Sequence, residues 1–149
     1  RGQAWAIYGM ALAYRYTGNT AYLDASKRVA HYFCANAAIN GYVPLIDFRA
    51  PEEPRYLDTT AGVCAACGLL ELAGHVKPLE KNLYVKSAVR CLKAVTDEYC
   101  EWDPKKDSIV SHGSARYDRA ADREVPVIYG DYFLVEGILR LLNKDFLIW

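Results

Sequence analysis

The sequence predicts an all-α protein in which inner and outer helices alternate around an axis, and three observations predict it. Five segments space their apolar residues at helical intervals, separated by breaks rich in Gly, Pro and Asn. Their character alternates: the first, third and fifth are apolar on most sides, the second and fourth along one stripe. A weak repeat runs with the alternation, Tyr22, Val29 and Ala30 recurring at constant spacing as Tyr84, Cys91 and Leu92. Paired helices with one inner and one outer member describe a toroid of helical hairpins. Five helices are too few to close such a ring. The chain is therefore expected to be the C-terminal part of something longer, as its opening without Met and inside a helical pattern also suggests. An ordinary five-helix bundle is the alternative at this level.

The first helix is expected over Gly2–Thr17, stopped by Gly18-Asn19, a pair suited to the left-handed turn after a helix. The second runs from Thr20 to about Ala38 with Tyr22, Ala25, Val29, Tyr32 and Phe33 as its stripe. Pro44, Pro51 and Pro54 mark residues 39 to 58 as a loop, with a short extended piece near Tyr42 to Phe48. Asp58-Thr59-Thr60 supplies N-cap chemistry for a third helix rich in small residues, ending at Gly74. The fourth spans about Glu80 to Tyr99, with Tyr84, Ala88, Cys91, Val95 and Tyr99 in one stripe. Residues 101 to 128 form a long connection, and loops of such length in compact domains are usually functional or disordered. The last helix starts near Gly130-Asp131, and the apolar tail Phe146–Trp149 is expected to pack against the body.

Composition narrows the function. The 149 residues make one ordinary domain, and 52% hydrophobic against 24% charged residues suffices for a core. Lys plus Arg and Asp plus Glu both count 18, which leaves no electrostatic footprint for nucleic acid or an anionic membrane. No apolar run reaches the ~20 residues of a membrane helix, and no signal peptide is read. The five cysteines, odd in number and mostly at apolar helical positions, read as reduced thiols of a cytoplasmic protein. Cys64 and Cys67 form a C-x-x-C inside a small-residue helix, without a second pair at ligand spacing, so they read as core and no metal is expected.

In such a layered array the inner helices all begin at one end. Arg1, Gln3 and Trp5 open the first, Tyr129 and Asp131 open the last, and the long connection brings His112 to the same end. Arg grips a carboxylate bidentately, an indole offers a platform to a sugar ring, and Gln3 reaches hydroxyls. Together they suit an acidic sugar. Each has a plainer alternative: a chain-end arginine beside a core Trp, a core tyrosine, a first-turn carboxylate at Asp131, a loop hydrogen-bonder at His112. Asp47, Glu52 and Glu53 are expected at the opposite end, and Asp58-Thr59-Thr60 as a cap. No Ser–His–Asp spacing or phosphate loop appears. A glycosidase needs carboxylic acids in its cleft. Only Asp131 is suitably placed, so either the chain is not a complete catalyst or its acids lie upstream of Arg1.

The opening Arg1-Gly2-Gln3-Ala4-Trp5-Ala6-Ile7-Tyr8-Gly9, with Tyr14-Arg15-Tyr16-Thr17-Gly18 and Tyr22-Leu23, resembles unsaturated glucuronyl hydrolases of glycoside hydrolase family 88. So do Asp47-Phe48-x-Ala50-Pro51, Asp58-Thr59-Thr60-Ala61, Gly68-Leu69-Leu70-Glu71-Leu72 and Val125-Pro126-x-Ile128-Tyr129-Gly130-Asp131-Tyr132. The resemblance implies the C-terminal half of an (α/α)6 barrel that removes an unsaturated uronic acid from the non-reducing end of lyase-generated oligosaccharides. It implies an unusual reaction: an Asp protonates the C4=C5 vinyl ether, water adds at C5, and the hemiketal collapses to a keto acid. Neither metal nor organic cofactor is implied. Arg1 and Trp5 carry over as substrate-binding, with Tyr129 lining the same cleft, while the two key Asp residues have no counterpart here. Leu45-Ile46 replaces an aromatic pair, and the Ser114 to Arg123 loop departs from the pattern, which leaves the sugar beyond the cleavage point unassigned. The rivals are an unsaturated rhamnogalacturonyl hydrolase, a non-catalytic helical-repeat module that binds protein or glycan, and a sugar epimerase on the same toroid.

Overall fold

The computed structural model describes residues 1–144, so the tail Phe146–Trp149 and its expected packing lie outside the described residues. Five α-helices are found among them: α1 (Gly2–Thr17), α2 (Thr20–Ile39), α3 (Thr59–Ala73), α4 (Pro78–Glu98) and α5 (Ile128–Leu141). A single 3-10 turn at Ala120–Asp122 interrupts the long connection. α3 is the hub, packing against α1, α4 and α5, while α2 covers α1. Inner α1, α3 and α5 with outer α2 and α4 make two helical hairpins and one further inner helix.

Local signals set the boundaries. Gly18 takes φ 66 and donates its N–H to Tyr14 O at 2.8 Å, ending α1. The Asn19 side chain accepts from Ala21 N at 3.0 Å and starts α2 at once. α4 begins earlier than the apolar period indicates, because Pro78 fits the first helical position, where no N–H is needed. α5 likewise begins at Ile128, ahead of Gly130-Asp131. The expected extended piece at Tyr42–Phe48 reduces to one bridge, Leu45 with Leu57, because Tyr42 turns the chain at φ 70.

Three expectations are corrected. Only α3 is buried all round, every residue but Leu70. α1 buries the face of Ala4, Ile7, Tyr8 and Ala11 and leaves Trp5 and Gly9 open, and α5 leaves Tyr129, Val135 and Ile138 open. The buried stripe of α2 is Ser26, Ala30, Phe33 and Ala37, with Tyr22 and Tyr32 exposed: close approach to α1 favours small residues over tyrosines. The loop carrying Asp47, Glu52 and Glu53 lies at the same end as Arg1, since two antiparallel helices return the chain to its starting end; Asp47 lines a cavity with Arg1 and Gln3.

Small side chains on α3 set the spacing. A Cβ on Gly68 would lie 2.7 Å from Tyr8 N and 2.9 Å from Tyr8 Cα, so α1 crosses α3 backbone to backbone. At the far end a buried ion cluster ties the inner helices together. Arg140 Nη1 donates to Glu71 Oε2 at 2.8 Å, Arg15 Nη1 to the same oxygen at 3.1 Å, and His75 Nε2 lies 2.7 Å from Glu71 Oε1. Arg140 Nε and the Tyr8 hydroxyl both donate to Glu136 Oε1, at 2.7 and 2.8 Å. Burial pushes the Glu71 carboxyl up, but the hydrogen bonds from His75 and Arg140 and the charges of Arg140 and Arg15 outweigh it and hold it below its ordinary value.

Two outcomes are expected. Gly68→Ala forces the α1–α3 crossing apart and costs about 1–3 kcal/mol in denaturant unfolding. Because the folded carboxyl of Glu71 titrates below the unfolded one, its contribution is present above the unfolded pKa, ~4.3, and is lost as pH falls through the folded value. Glu71→Gln should lower the melting temperature at pH 7, with a loss of about 3 kcal/mol, and narrow the gap from wild type on acidification.

Candidate functional site

The mouth lies where α1, α3 and α5 begin. Arg1 Nη2 donates to Asp58 Oδ1 at 2.9 Å and to Ser114 O at 2.7 Å, joining the start of α1 to the cap of α3 and to the long connection. Asp58 is wholly buried, and its Oδ1 also accepts from Ala61 N and Ser114 N, both at 3.3 Å. Ser114 closes the knot: its hydroxyl donates to Leu57 O at 2.7 Å and accepts from Glu124 N at 2.8 Å. Beside it, a Cβ on Gly113 would fall 2.5 Å from Thr60 Oγ1, so only glycine lets the connection lie on the first turn of α3.

One turn along α1, Trp5 meets α5. Its ring is edge-on to Tyr129 at 5.8 Å and to Phe133 at 5.4 Å, and it remains 39% exposed. Tyr129 is more exposed still, at 49%, whereas Phe133 is buried beneath both. Arg1, Trp5 and Tyr129 thus stand at one end of the molecule, as the order of the inner helices requires. On the other side of Arg1, a cavity of about 370 Å³ is lined by Gln3, Tyr32, Asp47, Phe48 and Arg49 among others.

The remaining sequence candidates face elsewhere. Asp131 Oδ1 accepts from Ile109 N at 3.0 Å and Val110 N at 2.7 Å, pinning the connection to the start of α5. It borders a separate cavity of about 500 Å³ with Glu101, Lys106 and Asp107. The His112 ring packs on Tyr99 of the outer layer, 5.2 Å between centroids, with Nδ1 2.9 Å from Ser111 Oγ; what reaches the mouth is its backbone, where His112 O accepts from Thr59 N. Among Cys64 and its neighbours, burial pushes the Cys64 thiol up to about 12 and the Cys67 thiol well above its ordinary value, and Cys67 Sγ donates to Phe133 O. These thiols pack the core.

Sequence reasoning missed the Arg1–Asp58–Ser114 knot. The cap role of Asp58 was legible, but nothing local says that a cap will be sealed off from water. It also missed Arg123, which lies 4.4 Å over the Tyr56 ring and donates to Tyr56 Oη at 2.9 Å and to Tyr117 O at 2.7 Å. That clamp orders the loop between Ser114 and Arg123, where Arg116 pairs with Asp118 and Arg119 with Asp122.

The fold and mouth define the class: helical hairpins of an (α/α)6 barrel whose inner helices open on an aromatic and cationic site. The chain is a relative of unsaturated glucuronyl hydrolases. It is 37% identical over 145 residues to the unsaturated glucuronyl hydrolase of Bacillus sp. (strain GL1), matching 95% of this chain and 38% of that protein. It is 30% identical to the unsaturated chondroitin disaccharide hydrolase of Streptococcus pyogenes serotype M1, over 94% of this chain and 36% of that one. The crystal structure of the Bacillus enzyme, described as responsible for the degradation of glycosaminoglycan, superposes with a TM-score of 0.85 over 94% of this chain and 38% of its own. The Streptococcus agalactiae unsaturated glucuronyl hydrolase shares the fold, with a TM-score of 0.87 at 24% identity, over 99% of this chain and 40% of that one. No protein-family profile matches the chain. The chain spans well under half the length of the relatives it matches. No helix among the described residues is long and apolar enough to cross a membrane.

Exposure separates site from core here. Phe133→Ala should cost about 3–5 kcal/mol, while Trp5→Ala, which gives up two edge contacts, should cost about 1 kcal/mol; thermal melts of the two variants make the comparison. Equal losses would place the Trp5 indole in the core.

Proposed function

We propose that this chain is the C-terminal portion of an unsaturated glucuronyl hydrolase. Its substrate would be an unsaturated uronic acid at the non-reducing end of lyase-generated oligosaccharides, glycosaminoglycan fragments among them. The observation that carries the reading is the gathering of Arg1, Trp5 and Tyr129 at one mouth, in a chain similar to these enzymes along nearly its whole length. Arg1 offers its free edge to the uronate carboxylate. Trp5 and Tyr129 form the platform on which the flattened unsaturated ring rests. Gln3 reaches ring hydroxyls, and Asp131 and His112 act from behind by holding the connection against α5 and α3.

The reaction asks little nucleophilic chemistry of these residues. A carboxylic acid protonates C4 of the vinyl ether, the cation at C5 takes up water, and the hemiketal opens to a keto acid and the shortened sugar. Three carboxylates near the Arg1 end of the described residues have other work: Asp58 is sealed behind Arg1, Asp131 holds backbone amides, and Asp47 accepts from Arg49 N. The acid is thus assigned to the N-terminal portion of the same protein. The unpaired cysteines support a reducing, cytoplasmic setting.

The test follows the C4=C5 absorbance of an unsaturated chondroitin disaccharide. The chain combined with its N-terminal portion should consume it, and the chain alone should not. Turnover by the 149 residues alone, or none by the combined protein, overturns the reading. In the combined protein Trp5→Ala should lower kcat/KM about tenfold, well beyond any fall in melting temperature.

A further inference from the structure

Asp58 is more than a helix cap. A cap needs one acceptor, and serine or threonine supplies it without bringing a charge out of water. Here a carboxylate sits at 0% exposure, a costly arrangement that only a paired cation offsets. The cation is Arg1, and the pairing has a direction. Both bonds from Arg1 leave through Nη2, one to Asp58 Oδ1 and one to Ser114 O. Guanidinium is planar with five N–H donors, so two acceptors on one nitrogen set the orientation of the whole group. Nη1 is left without a protein partner, on a side chain that keeps 19% of its surface exposed. Asp58 cannot drift, because Ala61 N and Ser114 N hold the same oxygen. Meanwhile Arg1 Nε and Asp58 Oδ2 are buried without partners, so the pair is poorly built for stability alone.

We propose that Asp58 is a positioning residue: it acts through Arg1, fixing the guanidinium so that the Nη1 edge is presented to the carboxylate of the substrate. An unrestrained arginine loses much of its side-chain freedom when it grips a ligand. One already fixed from behind does not, and the gain appears as tighter, better-oriented binding. The inference rests on the reading under which Arg1 receives a uronate carboxylate, and it adds the residue that aims it. Asp58 touches no reacting atom.

The experiment uses the complete protein and two substrates, the unsaturated uronyl disaccharide and its carboxyl methyl ester, the ester read as a competitive inhibitor where turnover is slow. Asp58→Asn and Asp58→Ser both keep an acceptor for the cap, so one can stand in should the other fail to fold. The expected result is a drop of about tenfold in the preference for acid over ester in either variant, with the ester little affected. Arg1→Gln should show at least as large a drop. A purely structural Asp58 would weaken acid and ester alike, or lower only the melting temperature, and that result overturns the proposal. If Arg1→Gln itself leaves the preference intact, the assignment of the carboxylate to Arg1 fails first. If Arg1→Gln loses it while the Asp58 variants keep it, only the positioning role falls.

Discussion

Everything in this molecule is arranged around a helix that has no wet side. α3 is small residues almost throughout, and its burial on every face forces three other helices to lie against it. Because α1 and α5 flank it as inner neighbours joined through outer or looped returns, all three run the same way and begin at the same end. The mouth is a consequence of that packing. Helix starts gather N–H groups and positive potential, which favours acidic ligands. The same packing leaves α1 and α5 each with an open apolar face carrying Trp5 and Tyr129.

The two ends of the inner helices use charge differently. At the far end Glu71, Glu136, Arg15 and Arg140 neutralise one another in a buried cluster that ties three helices into one body. At the mouth a single buried carboxylate faces a single arginine, and the pairing is incomplete on both partners. Both clusters leave a buried carboxylate oxygen without a partner, Glu136 Oε2 at the far end and Asp58 Oδ2 at the mouth, so what differs is how many ions share the charge: four at the far end, two at the mouth. That contrast separates scaffold from site more clearly than residue type does, since both ends are rich in Arg and Glu or Asp.

The connection after α4 is held to the body at its neck and at its tip. Its neck is held by Gly113 against Thr60 and by Ser114 in the Arg1–Asp58 knot, and its tip by Arg123 between Tyr56 and Tyr117. The stretch from Ser114 to Arg123 is the part that departs from the resembling pattern.

By itself the sequence determined the helices, their alternation, and the end at which Arg1, Trp5 and Tyr129 belong. Those depend on periodicity and turn chemistry within a few residues, as at Gly18, Asn19 and Asp58. Tertiary structure alone decided which apolar faces are covered, which is why the stripe of α2 and the encasement of α1 were misread. The end at which the 39–58 loop lands follows from the same two antiparallel helices that place Tyr129 beside Trp5, whereas its approach to Arg1 and Gln3 depends on tertiary packing. The partnership of Asp58 with Arg1 and the turning of the His112 ring onto Tyr99 belong to the same group. Burial and long-range pairing are properties of neighbours far along the chain, and no spacing within a segment encodes them.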